Sequence, residues 1–228
     1  MAQINEIHDF IHLIERKERG GFTSDAEIDM YLDRAQMECF TEYFKQYGNT
    51  QIVHDALTIF KVTWAFSYVD CPNGLLNYPD GYTHLLGLSV IGYDNATSAQ
   101  TFNEVRYMNE NQLANAVKSA LRKPTVTAPI GVDKGSSDAN GNYEIYTQIY
   151  PKVPYAGEMI YLRRPAKPKY GFTQSGRTIT YDPTTSVQLE WTNTYVSKII
   201  GRAMMYLGLN MDEKDFIEFG AMEANKIQ

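Results

Sequence analysis

The sequence predicts an α+β fold: an N-terminal antiparallel helix pair, a central, mostly antiparallel β region with one short helix, and a C-terminal long helix plus a terminal helix. Three observations carry that expectation. Ile4, Ile7, Ile11 and Ile14 recur at steps of three and four, residues 60–68 alternate apolar with polar, and residues 196–207 return to helical spacing. Helices, then strands, then helices is the order of an α+β chain, not of a doubly wound parallel sheet.

The isoleucine stripe defines the first helix, which Gly20-Gly21 should end; its charged tail ERKER reads as a solvated face. Ser24-x-x-Glu27 is a capping box, and Ile28, Leu32, Ala35, Cys39 and Phe40 then keep helical spacing as far as Gly48. A short helical turn near 52–57 precedes a change of period. Phe60, Val62, Trp64, Phe66 and Tyr68 alternate with Lys61, Thr63, Ala65 and Ser67, as a half-buried strand requires. CPNGLLNYPDG at 71–81 must turn before the chain resumes as a strand at 85–91. Another strand is expected at 101–108, a short helix capped by Asn109-x-x-Gln112 and stopping before Pro124, and strands at 143–150 and 158–162. A long helix is read at 187–207, ending at Gly208, and Asn210-x-x-Glu213 opens a last one. A single domain over 1–228 is expected, with helices at 1–57, a β-rich region at 58–183 and helices at 184–228.

The totals narrow the function. With 43% hydrophobic residues in 228, the chain can bury an ordinary core. The start MAQINEIHDF lacks a basic n-region and an apolar h-region, and no apolar run nears the roughly 18 residues a bilayer span needs, so no membrane role is expected. Cys39 and Cys71 stand far apart, outside any C-x-x-C, which suggests neither a disulfide framework nor zinc. Seventeen tyrosines favour contact surfaces, although strands use tyrosine too.

Candidate chemistry is sparse. His8 and His12 lie i,i+4 on the first helix with Glu15 a turn further, a spacing that can seat a metal, but H-E-x-x-H is absent and a polar helix edge explains them. His54 and His84 are isolated. Asp138, Asn140 and Asn142 match the opening of a calcium loop, but Tyr143 and Ile149 stand where Gly and Glu are needed, and an Asn-Gly turn explains the stretch. Ser89 in GLSVIG reads as a strand residue, since the spacing is one too long for a nucleophile elbow. No phosphate-cradling glycine motif occurs, and carboxylates such as Asp70, Asp80, Asp94 and Glu104 show no paired pattern. The expectation is a protein that is not an enzyme and takes no metal or cofactor.

The stretch YLRRPAKPKYGF at 161–172 stands out. Residues 151–177 hold six Lys or Arg against Glu158 alone, leaving −11 for the rest of a chain whose total is −6. Pro165 and Pro168 rule out a helix interior or a central strand, so an extended arm at about 163–177 is expected. Arg163, Arg164, Lys167, Lys169, Tyr170, Phe172 and Arg177 are its candidate partner-binding residues. Nucleic acid could meet those cations and aromatics, yet the chain is acidic and lacks a nucleic-acid module. A neighbouring acidic subunit is the expected docking surface.

The order of segments resembles a known family. GLLNYPDGYTHLLGLSV, NENQLANAVKSALRKPTVTAPIGV, EIYTQIYPKVPYAGEMIYLRRPAKPKYGF and YDPTTSVQLEW, after GGFTSDAEIDMYLDRAQMECF, are similar to the head-to-tail ring or adaptor proteins of crAss-like and related podoviruses infecting Bacteroidota. The plan is also that of tail tubular protein A and connector adaptors. The resemblance implies a single adaptor-like domain and a structural virion role: a homo-oligomeric ring of about twelve copies in the neck. Portal protein and other neck or tail ring proteins would be its partners, and viral DNA would pass without sequence-specific binding. It implies no catalytic residues and no cofactor. A runner-up reading is a virion-associated hydrolase, or a nucleic-acid-binding module using the arm.

Overall fold

The computed structural model describes residues 3–18, 23–48, 50–93, 100–137, 143–175 and 178–208. The fold is mixed α+β, with helices at both ends of a strand-rich middle. Contacts divide the chain into two compact units, one of Met1–Ile59 with Pro165–Gln228, the other Phe60–Arg164. The sequence reading carries the β-rich region to residue 183, whereas the contacts end the β unit at Arg164 and give the following segment to the helices.

In the helical unit, α1 (Ile4–Glu18) buries Ile4, Ile7, Ile11 and Ile14 completely, as the stripe demands. Helix α2 (Asp25–Lys45) starts at the predicted capping box: the Ser24 side chain accepts from Glu27 N–H, and the Glu27 carboxylate accepts from Ser24 N–H. His8 meets Asp29 and Asp25 while His12 meets Asp25, so contacts run in opposite order along α1 and α2, as in an antiparallel pair. Helix α3 (Gln51–Thr58) follows, capped by Thr50.

Helix α4 (Glu110–Lys118) lies in the β unit, and α5 (Asn193–Leu207) closes the helical one at Gly208, whose φ of 69° is the left-handed cap expected there. The long helix read from 187 begins only at Asn193. Val187 instead exchanges backbone hydrogen bonds with Lys169, at 2.9 and 3.0 Å, and those groups are then lost to a helix. Leu189 and Trp191 are fully buried from this irregular stretch. The terminal helix read at 210 lies outside the described residues.

The β unit holds two four-stranded sheets. The first runs β1 (Lys61–Phe66), β8 (Tyr155–Arg163), β3 (Tyr82–Tyr93), β4 (Gln100–Glu104), all antiparallel. The second runs β2 (Leu75–Asn77), β7 (Tyr143–Tyr150), β6 (Ile130–Ser137), β5 (Arg106–Tyr107), and only β5 and β6 are parallel. The single strand expected at 101–108 is split at Val105. Its amide donates to Leu88 in the first sheet, and the next amide, Arg106, donates to Pro129, which leads the chain into the second. Both sheets share one core containing Phe66, Leu76, Leu88, Ile149 and Met159. Gly74, at φ 72°, lies so close to β7 that a Cβ there would meet the Ile149 carbonyl oxygen at 2.3 Å. Among the described residues, no helix is long and apolar enough to cross a membrane.

Candidate functional site

The proline-lysine stretch divides between the units. Arg163 and Arg164 end the β unit: Arg163 N–H donates to Phe60, Arg164 N–H donates to Gly81, and the Arg163 guanidinium lies 5.7 Å from the Phe60 ring centroid. From Pro165 onward the chain belongs to the helical unit. There four backbone amides bond inward. Ala166 N–H donates to Glu190 Oε2 at 2.9 Å, Lys169 N–H to Val187, Tyr170 N–H to both oxygens of Asp29 at 3.0 and 3.1 Å, and Gly171 N–H to Ser186 Oγ at 2.9 Å. Gln36 of α2 reaches the Ala166 carbonyl at 2.9 Å. Gly171 is a necessity, since a Cβ would meet Thr185 Oγ1 at 2.3 Å.

This docking sorts the side chains. Pro165 and Pro168 are buried, while Lys167 and Lys169 are exposed. From Lys167 to Lys169 neighbours point to opposite sides, as in extended chain, so the Pro168 ring faces inward and both ammonium groups face water. Tyr170 stacks on His8, with centroids 4.7 Å apart, and burial together with the carboxylates Asp25 and Asp9 pushes its phenol up. The segment is thus a fixed ridge on its own helical unit, carrying outward charge.

Beyond it lies a hairpin that the sequence reading did not find, β9 (Phe172–Ser175) paired with β10 (Thr178–Tyr181). Register sets Phe172 opposite Tyr181 and Gln174 opposite Ile179, so these four share one face and Thr173, Ser175, Thr178 and Thr180 the other. Phe172 and Ile179 are about half exposed, at 48% and 58%. Thr173 after Phe172 and the threonines on either side of Ile179 were the available signal, interrupted by the Gly-Arg between the two strands. Arg177 lies outside the described residues.

The remaining candidates separate. Asp70 closes a local turn, accepting from Ser67 N–H and Oγ at 2.8 and 2.7 Å, and those bonds hold its carboxyl below the usual range. Ser89 sits in β3 opposite Glu104 and Glu158. His54 stacks on Tyr47, and burial lowers His84. Asp80 is exposed, while Asp94 and the turn of Asp138, Asn140 and Asn142 lie outside the described residues. A cleft of about 430 Å³ beside β5 is lined by Arg106, Arg122 and Lys123 with Glu104, a basic surface the sequence reading passed over. In the helical unit, Glu42 of α2 joins Lys198 and Arg202 of α5, and the Arg202 bond holds Glu42 below the usual carboxylate range. No protein-family model matches this sequence, and no curated protein matches it.

Proposed function

We propose that this chain is a noncatalytic structural protein of a tailed-phage virion, a subunit of a closed ring in the neck that joins portal to tail and forms part of the DNA conduit. The observation that carries the proposal is the order of segments along the sequence. The surface supports it. A cyclic ring needs two different, complementary patches on each subunit, because every contact is head to tail. The ridge with Lys167 and Lys169, continuous with the half-exposed apolar face of the hairpin, supplies one patch, and the acidic remainder of the chain supplies the other. Repeated net charge of −6 around a ring also repels phosphate, so DNA passes without being held.

The ridge is the place to test. Lys167→Glu with Lys169→Glu alters two exposed side chains and leaves every docking bond of the backbone in place, so stability should change by no more than about 0.5 kcal/mol. Across an interface, the same reversal sets like charges together at every joint of the ring, costing several kcal/mol each. The expected result is a variant with unchanged circular dichroism that does not enter particles. Normal incorporation would overturn the role given to the ridge. Normal incorporation with lost, salt-sensitive binding to short duplex DNA would transfer the ridge to nucleic acid.

A further inference from the structure

We propose that His8, His12 and Asp25 form a site for a divalent transition-metal ion of the zinc class, which clasps α1 to α2 beneath Tyr170. The inference is independent of the ring reading. It begins with a count of protons. His8 Nδ1 lies 3.1 Å from Asp25 Oδ1 and its Nε2 lies 3.0 Å from Asp29 Oδ1. His12 Nε2 lies 3.1 Å from the same Asp25 oxygen and its Nδ1 lies 3.5 Å from Glu15 Oε2. All four ring nitrogens therefore face carboxylate oxygens, which only accept, while two neutral imidazoles bring two N–H groups between them.

A metal ion at the inner pair would leave those protons on the outer two contacts, at 3.0 and 3.5 Å. Asp29 and Glu15 then hold His8 and His12 by the far nitrogen, the carboxylate–histidine support that orients ligands around bound zinc. Asp29 is itself fixed by Tyr170 N–H, Glu15 by the Thr23 hydroxyl at 2.5 Å, and the Tyr170 ring stacks on His8. His8 Nδ1 and His12 Nε2 each lie 3.1 Å from Asp25 Oδ1, and the three ligand atoms fall within 4.8 Å of one another. Two imidazole nitrogens and a carboxylate oxygen gathered this closely are a ligand set that one cation can take. A tetrahedral zinc ion with bonds of about 2.0–2.1 Å holds its ligand atoms roughly 3.3 Å apart, close to the 3.1 Å from each nitrogen to Asp25 Oδ1.

Two added protons would satisfy the same contacts but create two imidazolium rings with centroids 6.4 Å apart, one of them 1% exposed. One divalent ion gives the same total charge with no such repulsion. Imidazole nitrogen with carboxylate oxygen suits zinc, copper, nickel and iron far better than calcium or magnesium. Asp25 and His12 retain side-chain exposures of 30% and 17%, which leaves an entry path and room for water as fourth ligand. Sequence showed the i,i+4 histidines; it could not show that the third ligand lies at the start of the next helix.

The test uses the full chain stripped with a chelator and titrated with Zn²⁺ by calorimetry, and with Co²⁺ followed by its visible absorption. The expected result is one ion per chain at submicromolar affinity, the intense absorption of tetrahedral Co²⁺, and a raised thermal midpoint. His12→Gln, at a partly exposed position, should keep the circular dichroism of the parent and lose at least 100-fold in affinity. Glu15→Gln, which removes only outer support, should lose about 10-fold to 100-fold. Absence of 1:1 binding by either ion, or binding undiminished in His12→Gln, would overturn the proposal.

Discussion

In the helical unit, the polar groups withdrawn from water include ionisable ones: His8, Glu15 and Asp29 are buried, with Gln36 beside them. Among the described residues of the β unit the buried polar ones are Thr147 and Gln148, and around them the polarity is hydroxyl. Tyr78 O–H and Thr147 O–H both reach Asp133 Oδ1, at 2.7 and 2.8 Å, and the Tyr107 hydroxyl lies 3.1 Å from Thr147. Burial pushes the Tyr78 and Tyr107 phenols up, so both stay neutral wherever carboxylates titrate. The buried polar side chains of one unit thus include ionisable ones, and among the described residues those of the other are a hydroxyl and an amide. The only two tryptophans fall one to each unit, Trp191 and Trp64, so Trp64→Phe and Trp191→Phe give chains that report on each unit alone.

Apolar packing should not distinguish the units. Ile11 and Leu76 are both fully buried, and Ile11→Ala and Leu76→Ala should each cost about 2–5 kcal/mol in denaturant unfolding followed by the tryptophan of the affected unit. A loss near zero for Ile11→Ala would place its stripe against something other than its own unit. The hydroxyl network comes next. Thr147→Val removes the acceptor of Tyr107 and a donor to Asp133, and should cost about 1–3 kcal/mol by an amount that does not change between neutral and mildly acid pH.

The ion pair of the helical unit should behave oppositely. Glu42 lies below its ordinary value of 4.5 when folded, chiefly through Arg202. The unfolded chain therefore takes up its proton first as pH falls, so the contribution is complete above 4.5 and is lost as pH drops through the folded value. At 39% exposure solvent screens the pair, and Glu42→Gln should cost about 1 kcal/mol at neutral pH and almost nothing near the folded value. A loss independent of pH would remove the contrast between the units. The smallest effect concerns the thiols. Burial raises Cys39 in the helical unit and Cys71, to about 12, in the β unit, so neither should react with iodoacetamide in the native chain at neutral pH. Labelling of one alone would show which unit opens more readily.

The parts legible in the sequence are those fixed by local chemistry. The Ser24–Glu27 box, the isoleucine stripe, the Asn109–Gln112 cap and the Gly208 stop each act within a few residues, and each stands where it was read. Strand β6, IGVDKGSS, carries little β preference and exists because β7 pairs with it from Ile130 to Ser137. The helix was read back to 187, but Val187, Leu189 and Trp191 alternate, and Lys169 captures the backbone of Val187. The proline-lysine stretch was legible as extended and basic. Its seat was not, since Asp29, which holds Tyr170, stands 141 residues earlier. The same distance problem hid the meeting of Asp25 with His8 and His12.

The central proposal is that this chain is a ring subunit of a virion neck, and a reconstruction of the assembled particle tests it most directly. The account predicts a closed ring between portal and tail into which the helical unit and the β unit each fit, with Lys167 and Lys169 at the contact between copies or with the adjacent ring. Density for the neck that accommodates neither unit, or particles that lack the chain, would contradict it.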